Sequence, residues 1–342
     1  MRRFCGLLLI LCGAAAAREP DGTLGLLQAP HNGMPSMVRA GQNFEALLLE
    51  QADLTLIGVD GVAHQVEAQW SQRSDGRHRA VCTVPAIASG SYALQAKTSS
   101  LTDTNVRAVF LRDDFPEYYV FAHVSDTHVG SNRNLESYMD INRAVFAAVN
   151  ASEAAFCLVT GDVTEGGEAA QFREFIEVLD TCTLPTFVVS GNHDRQALHY
   201  EHFFAPLAYS FSFGADGYLG FDSKDFITAD SLGPQDGALQ RLRREIKPSR
   251  WSIGFSHRYE SNQGMRSQLT LFLDDPLDWL VFGHWHRENT AEQQTVPWGA
   301  TRITVVPAAI NGAYRLIDVF HGKGLVPREV AQAIVVTRRP RE

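Results

Sequence analysis

The sequence predicts a small all-β sandwich followed by an α/β domain. Three features lead there. Up to about Arg112 short alternating segments are separated by turn dipeptides; beyond it, apolar runs of strand length alternate with stretches of helical period; and five of those later runs stop at Asp, Asn or His. At 342 residues the chain can hold two cores, since a domain takes about 100 to 200 residues. A composition of 45% hydrophobic and 20% charged residues is that of a folded globular protein.

The first residues read as a leader. Met1-Arg2-Arg3 is a positive start, Leu7 to Leu11 an apolar stretch, and Ala14 to Ala17 a run of small residues. This pattern predicts a signal peptide over residues 1–17 and an exported protein, periplasmic or extracellular. The apolar run is shorter than the roughly 20 residues that span a bilayer, and no later segment reads as transmembrane, so no integral membrane segment is expected after cleavage. Loss of the two leader arginines takes the formal charge from −9 to −11. An acidic chain of this kind is not expected to bind nucleic-acid polymers. Cys82, Cys157 and Cys182 remain, and an oxidising compartment permits one disulfide among them. Cys157–Cys182 is the favoured pair, at the starts of neighbouring strands.

Residues 18–113 form the expected sandwich. Phe44 to Leu49, Leu54 to Val59, Arg79 to Val84 and Ser91 to Ala96 alternate, with Asp60-Gly61, Asp75-Gly76 and Ser89-Gly90 as turns between them. No cluster of titratable residues occurs there. "RDDFPEYY" is the hinge into residues 114–342. Tyr119 to Val124 then predicts a strand, and Leu135, Tyr138, Ile141, Val145 and Val149 a helix face. Phe156 to Val159, a helix carrying Phe172, Phe175, Ile176 and Leu179, and Thr186 to Val189 follow. Further strands are expected at 210–213, 218–221, 251–255, 279–282, 301–306 and 313–319, with Leu239 and Leu242 on an intervening helix. Such alternation builds a largely parallel sheet covered by helices.

The strand endings carry the chemistry: "VSDTH", "LVTGDV", "VVSGNHD", "IGFSH" and "VFGHWH". All five deliver Asp, Asn or His at a carboxyl end, the edge where open α/β sheets bind ligands. One such ending is an ordinary polar turn, but five on one sheet edge are not, because turns do not require histidine. Asp126, His128, Asp162, Asn192, His257, His284 and His286 offer nitrogen and oxygen donors without a thiolate, a set suited to Fe, Mn or Zn. Seven donors exceed one tetrahedral site and fit two ions sharing a carboxylate. Gly161, Gly191 and Gly283 precede ligands, where the backbone must turn or approach closely.

The ordered series D-x-H, GD, GNHD, a lone His and GHxH resembles the calcineurin-like metallophosphoesterase superfamily over about residues 118 to 320. The stretch from Gly161 to Asp194 looks most like the class III cyclic nucleotide phosphodiesterase branch, although Ser256 and Arg258 flank His257 where that branch often has His-His-Pro. Glu165 and His128 set the chain apart from purple acid phosphatases, which have a Tyr ligand in place of the former and lack the latter. The resemblance implies a metallophosphoesterase β-sheet core flanked by helices, and two divalent or mixed-valence metal ions. It implies Asp126, His128 and His286 on the first ion, Asn192, His257 and His284 on the second, and Asp162 between them. His193 takes the place of the family's leaving-group acid, and Glu165 that of the residue orienting it.

The function so implied is hydrolysis of small phosphodiesters or phosphomonoesters by metal-bridging hydroxide attack. Another metallohydrolase, such as an amidase, is an alternative. So is a surface- or glycan-binding protein with a vestigial metal domain; in either reading the sandwich is left for a surface or glycan contact. The complete ligand set and intact His193 favour the enzyme. Arg195 is expected either on a phosphate oxygen or in a surface salt bridge, Asp194 either behind the ligands or as a cap, and His123 in packing.

Overall fold

A computed structural model describes residues 21–197, 199–222, 236–258, 273–288 and 299–340. The expected leader, residues 1–17, lies outside them. The first eight strands are β1 (Leu27–Ala29), β2 (Ser36–Val38), β3 (Asn43–Leu48), β4 (Asp53–Gly58), β5 (Ala63–Gln72), β6 (His78–Thr83), β7 (Gly90–Lys97) and β8 (Thr102–Leu111). They pair in the order β1-β3-β6-β5-β4-β7-β8-β2. Strand β5 turns the corner: Ala63 to Val66 pair with β4, whereas Glu67 to Gln72 pair with β6. A strand shared in this way lets a sheet fold over its own core. Phe44, Leu48 and Cys82 from one side meet Leu54, Leu94 and Val109 from the other.

The α/β half contains two sheets where the sequence suggested one. In the first, β9 (Tyr119–Val124), β10 (Cys157–Thr160), β11 (Thr186–Val189), β17 (Ala313–Phe320) and β18 (Gly324–Gln332) run in the order β11-β10-β9-β17-β18. In the second, β12 (Ala208–Phe213), β13 (Asp216–Phe221), β14 (Ser252–Phe255), β15 (Trp279–Phe282) and β16 (Arg302–Val305) follow chain order. Phe121, Leu158, Phe187 and Val189 pack against Tyr218, Ile253, Phe255 and Val281 between the sheets. A strand that is apolar on both faces must be covered twice, but its sequence does not say whether by a helix or by another sheet. The five ligand-bearing ends therefore divide three and two between facing sheets instead of lining one edge.

Helices close the outer faces. α1 (Tyr138–Asn150) and α2 (Ala169–Leu179) cover the first sheet with Val145, Phe146, Phe172 and Phe175, all buried. The Ser137 side chain accepts from the Met139 N–H at 3.2 Å and starts α1 there, leaving Leu135 outside the helix and exposed. A short α3 (Tyr200–Phe204) follows β11. α4 (Asp236–Ile246) lays Leu239 and Leu242 on the second sheet. Strand β18 escaped the sequence reading because Pro327 interrupts it. It sits at the sheet edge, with Pro327 opposite Ile317 beside a bulge in the pairing, where a missing N–H is tolerated. Among the described residues no helix is long and apolar enough to cross a membrane.

Cys82, Cys157 and Cys182 are free and buried, so the expected Cys157–Cys182 disulfide is not formed. Cys157 begins β10, but Cys182 lies on the loop after α2, where its sulfur accepts from the Thr186 hydroxyl at 3.3 Å. Burial pushes both thiols above their ordinary pKa.

The β-sandwich covers the edge of the ligand-bearing sheet. The Gly33 carbonyl accepts from the Val188 N–H at 2.8 Å, extending the sheet beyond β11. Arg107 reaches the Asp180 carbonyl at the end of α2 and stands 3.1 Å from its carboxylate. A chain beginning at Asp114 keeps every expected ligand but uncovers this edge and exchanges the Val188 N–H bond for one to water, a net loss of about 0.5–1.5 kcal/mol beside the lost packing. Such a chain should melt below the full-length protein and self-associate, as read by calorimetry and size-exclusion chromatography. A monomer with undiminished stability would mean that the contact is incidental.

Candidate metal centre

Each ligand-bearing segment leaves its strand at the same end of the two-sheet core. Asp126 and His128 follow β9, Asp162 follows β10, Asn192 and His193 follow β11, His257 follows β14, and His284 and His286 follow β15. The loops are tied to one another. The Asp126 N–H donates to the Gly161 carbonyl and the His128 N–H to the Asp162 carbonyl, each at 3.0 Å. Bonds also cross between the sheets, among them His257 Nδ1 to the Thr160 carbonyl at 2.8 Å and the His284 N–H to Asp126 Oδ2 at 3.0 Å. A Cβ on Gly191 would stand 2.2 Å from the Asp162 N, and one on Gly283 would stand 2.5 Å from Asp126 Oδ2. Only glycine allows loops so close.

Backbone strain marks the same residues. Among the described residues six non-glycine positions have positive φ, and five of them are Asp126 (56°), His128 (43°), Asp162 (47°), His284 (64°) and His286 (53°). The left-handed region costs a residue with a side chain about 1–3 kcal/mol. Strain of that kind persists where surrounding bonds hold it, and here it turns carboxylates and imidazoles inward.

Among the described residues three donor groups result, Asp126 with His128 and His286, Asp162 with His257 and His284, and, at the rim, His128 with Glu165 and His193; the first two face each other. In the first, His128 Nε2 and His286 Nε2 are 3.1 Å apart, and His286 Nε2 is 3.0 Å from Asp126 Oδ1. In the second, His257 Nε2 is 3.1 Å from Asp162 Oδ2 and 3.2 Å from His284 Nδ1. Asp162 Oδ2 also faces the first group, 3.9 Å from His128 Nε2.

The donor chemistry fits metal ions. Atoms each about 2.0–2.2 Å from one ion stand about 3–3.5 Å from each other, and four of the contacts within the two groups lie at 3.0–3.2 Å, with His128 Nε2 to Asp126 Oδ1 at 3.7 Å. The Thr160 carbonyl can only accept, so His257 Nδ1 carries a proton and Nε2 is the nitrogen turned inward, free to bind a cation in place of a second proton. Asp126 Oδ1 has no hydrogen-bond partner despite its 3.0 Å approach to His286, as two donors facing a shared point would lie. Asn192 Oδ1 is likewise buried and unpartnered, aligned with its expected role as a ligand. Burial opposes charge on His257, yet Asp162 and Asp126 push its pKa up to about 10. For His128 burial again opposes, and Asp126 and Glu165 raise it to about 9. The site is thus an electrostatic trap for positive charge.

His193 lies at the rim, with Nε2 4.0 Å from Asp162 Oδ2. Its Nδ1 donates to the main-chain carbonyl of Glu165 at 2.5 Å. The expected pairing of the Glu165 side chain with His193 is not the arrangement found. The carboxylate reaches past His193 to within 2.9 Å of His128 Nδ1 and accepts from Arg133 at 2.7 Å. The one methylene by which Glu exceeds Asp supplies that reach. Arg195 makes the salt bridge that was one of its two expectations, but from a buried position and not on the surface. It is buried, 2.8 Å from Glu201 and 3.4 Å from Asp222, whose other oxygen accepts from Ser190 at 2.9 Å. His123 is packed at the base of the site, its Nε2 2.9 Å from Thr160 Oγ1, and burial, followed by Arg315, lowers it to about 3.

Asp194 joins the GD and GNHD loops. Its buried carboxylate accepts from the N–H groups of Val163 (3.1 Å), Thr164 (2.8 Å) and Gly191 (2.8 Å) and from the Thr164 hydroxyl (2.7 Å). Its position inside GNHD was a signal for this role; the Thr160 carbonyl and Arg133 left none. Asp194→Ala should destabilise the fold by several kcal/mol, because three buried N–H groups lose their acceptor at about 1–3 kcal/mol each. It should also lower metal uptake at both groups. Denaturation and elemental analysis check this, and a variant with full metal content would show that the ligand loops hold without the brace.

Residues 119–288 match the family model described as calcineurin-like phosphoesterase. A probable cyclic nucleotide phosphodiesterase of Rhodopseudomonas palustris is 25% identical over 211 residues, 53% of this chain and 77% of that protein. A purple acid phosphatase isolated from seeds of yellow lupin (Lupinus luteus) superposes with a TM-score of 0.56 at 10% identity, covering 87% of this chain and 71% of the other. That coverage exceeds what residues 114–342 supply, so the likeness of fold extends into the β-sandwich.

Proposed function

Residues 119–288 belong to the calcineurin-like phosphoesterase family, which makes the chain a metal-dependent phosphoester hydrolase, and from that premise we propose a dinuclear enzyme acting on small phosphodiesters or phosphomonoesters. The observation carrying the reading is Asp162 Oδ2, within 3.1 Å of His257 Nε2 in one donor group and 3.9 Å of His128 Nε2 in the other. Asp126, His128 and His286 would hold one ion and Asn192, His257 and His284 the other, with Asp162 shared. When bound, such ions supply a nucleophile at neutral pH and neutralise charge gathering on the phosphoryl oxygens. The leader composition of residues 1–17 supports export as part of the same proposal.

The chain's own residues handle the leaving group. Because the Glu165 carbonyl accepts from His193 Nδ1, the transferable proton of a charged His193 is the one on Nε2, which faces the donor groups. An alkoxide departing from phosphorus needs that proton, and a positioned imidazole can give it. Thr160 holds His257 through its carbonyl and thereby keeps Nε2 turned inward.

Elemental analysis of the purified chain should find about two metal ions per molecule. Asp162→Asn should reduce both, because a neutral amide bridges poorly, whereas His257→Ala should empty mainly the second. A maximum of one ion after reconstitution would falsify the dinuclear reading.

Leaving groups test His193 separately. His193→Ala should retain its metals and lose about 10²–10⁴-fold in rate on alkyl phosphoesters. Its loss on p-nitrophenyl esters, whose phenolate departs without a proton, should be clearly smaller. Equal losses on both ester types would assign His193 to positioning the phosphate or the nucleophile.

A further inference from the structure

The side chain of Glu165 leaves His193 Nδ1 to its own main-chain carbonyl and turns to His128, whose ring lies beside that of His193 with centroids 4.9 Å apart. Glu165 Oε2 stands 2.9 Å from Nδ1 of His128, whose imidazole is buried, a charge contact without hydrogen-bond geometry, and accepts from Arg133 at 2.7 Å. Arg133 is itself held, its Nε donating to Ser131 Oγ at 2.8 Å. On the far side of the His128 ring, Nε2 faces His286 and Asp126 at 3.1 and 3.7 Å. The order across the ring is therefore guanidinium, carboxylate, imidazole, donor group. We propose that the Arg133–Glu165 pair is a positioning device for the first metal site, fixing the His128 ring and making its Nε2 a stronger donor, and that Glu165 governs metal retention at this site and not proton delivery by His193.

Three features favour this over an ordinary surface ion pair. The carboxylate carries a net charge beside an almost wholly buried ring, so solvent screens the contact weakly on that side. Arg133 and His128 meet the same oxygen, which leaves the carboxylate little rotational freedom. The carbonyl that serves His193 belongs to the same residue but needs no side chain, so substitution separates the two tasks. Carboxylate partners of ligating histidines commonly change metal affinity about 10- to 100-fold.

The inference rests on the dinuclear reading, and the test distinguishes the two. Metal-stripped full-length protein is titrated with Mn²⁺ and with Zn²⁺ in a calorimeter, as wild type, Glu165→Gln and Arg133→Ala, with melting curves recorded for each. Glu165→Gln should weaken one of two sites by about 10- to 100-fold and spare the other. Arg133→Ala, which keeps the carboxylate but frees it, should weaken the same site by a smaller factor, and it carries the test if the Gln variant does not fold. With metals saturating, the ratio of alkyl to p-nitrophenyl ester rates should stay at the wild-type value in both variants. Unchanged affinity at both sites, equal weakening of both, or a selective loss on alkyl esters would overturn the proposal, the last by returning Glu165 to the service of His193. A wild-type chain that takes up one ion strikes the dinuclear reading, and this inference with it only if that ion's affinity ignores Glu165.

Discussion

Two carboxylates buried within one site set the terms for the rest of the catalytic half. Asp126 and Asp162 are almost wholly removed from water; each accepts one backbone N–H, and their other oxygens face imidazoles, which must be charged or joined by a cation for the burial to be tolerable. The same carboxylates draw His128 and His257 toward the charged form against burial. Charge demand, donor spacing and the unpartnered Asn192 oxygen converge on one requirement, metal ions bound by nitrogen and oxygen.

Meeting that requirement imposes a cost on the backbone. Five of the expected ligands sit in the left-handed region, and loops from different strands approach within distances that exclude any side chain at Gly191 or Gly283. The strain is held by bonds that do not involve the ligands' own donor atoms: Asp194 clasps the second and third loops, and the Thr160 carbonyl holds His257 across the gap between sheets. Division of the ligands between two facing sheets makes that gap part of the site. Packing of Phe121, Phe187, Tyr218 and Phe255 thus contributes to the geometry at the rim as well as to stability.

The β-sandwich enters this economy through the edge of β11, the strand that leads to Asn192 and His193. Gly33 satisfies the Val188 N–H on that edge, and Arg107, among the described residues the one non-glycine with positive φ remote from the donor groups, reaches the end of α2. An uncovered edge strand is a template for pairing with other chains. Covering it keeps the ligand loop on a fixed support.

Much of this was determined by the sequence alone. The strand endings named Asp126, His128, Asp162, Asn192, His257, His284 and His286, because an imidazole or carboxylate released from a buried strand is a local pattern readable without coordinates. The helices carrying Val145 and Phe172 were equally legible from their period. What the tertiary structure decided was everything that depends on partners distant in the chain. Whether Phe187 faces a helix or another sheet, whether Cys182 meets Cys157, and whether Glu165 turns to His193 or to His128 are not encoded in any local period. A side chain's reach is known from its composition, but its direction depends on which neighbour folding brings within that reach. At Glu165 a single methylene and an arginine 32 residues away settled the matter.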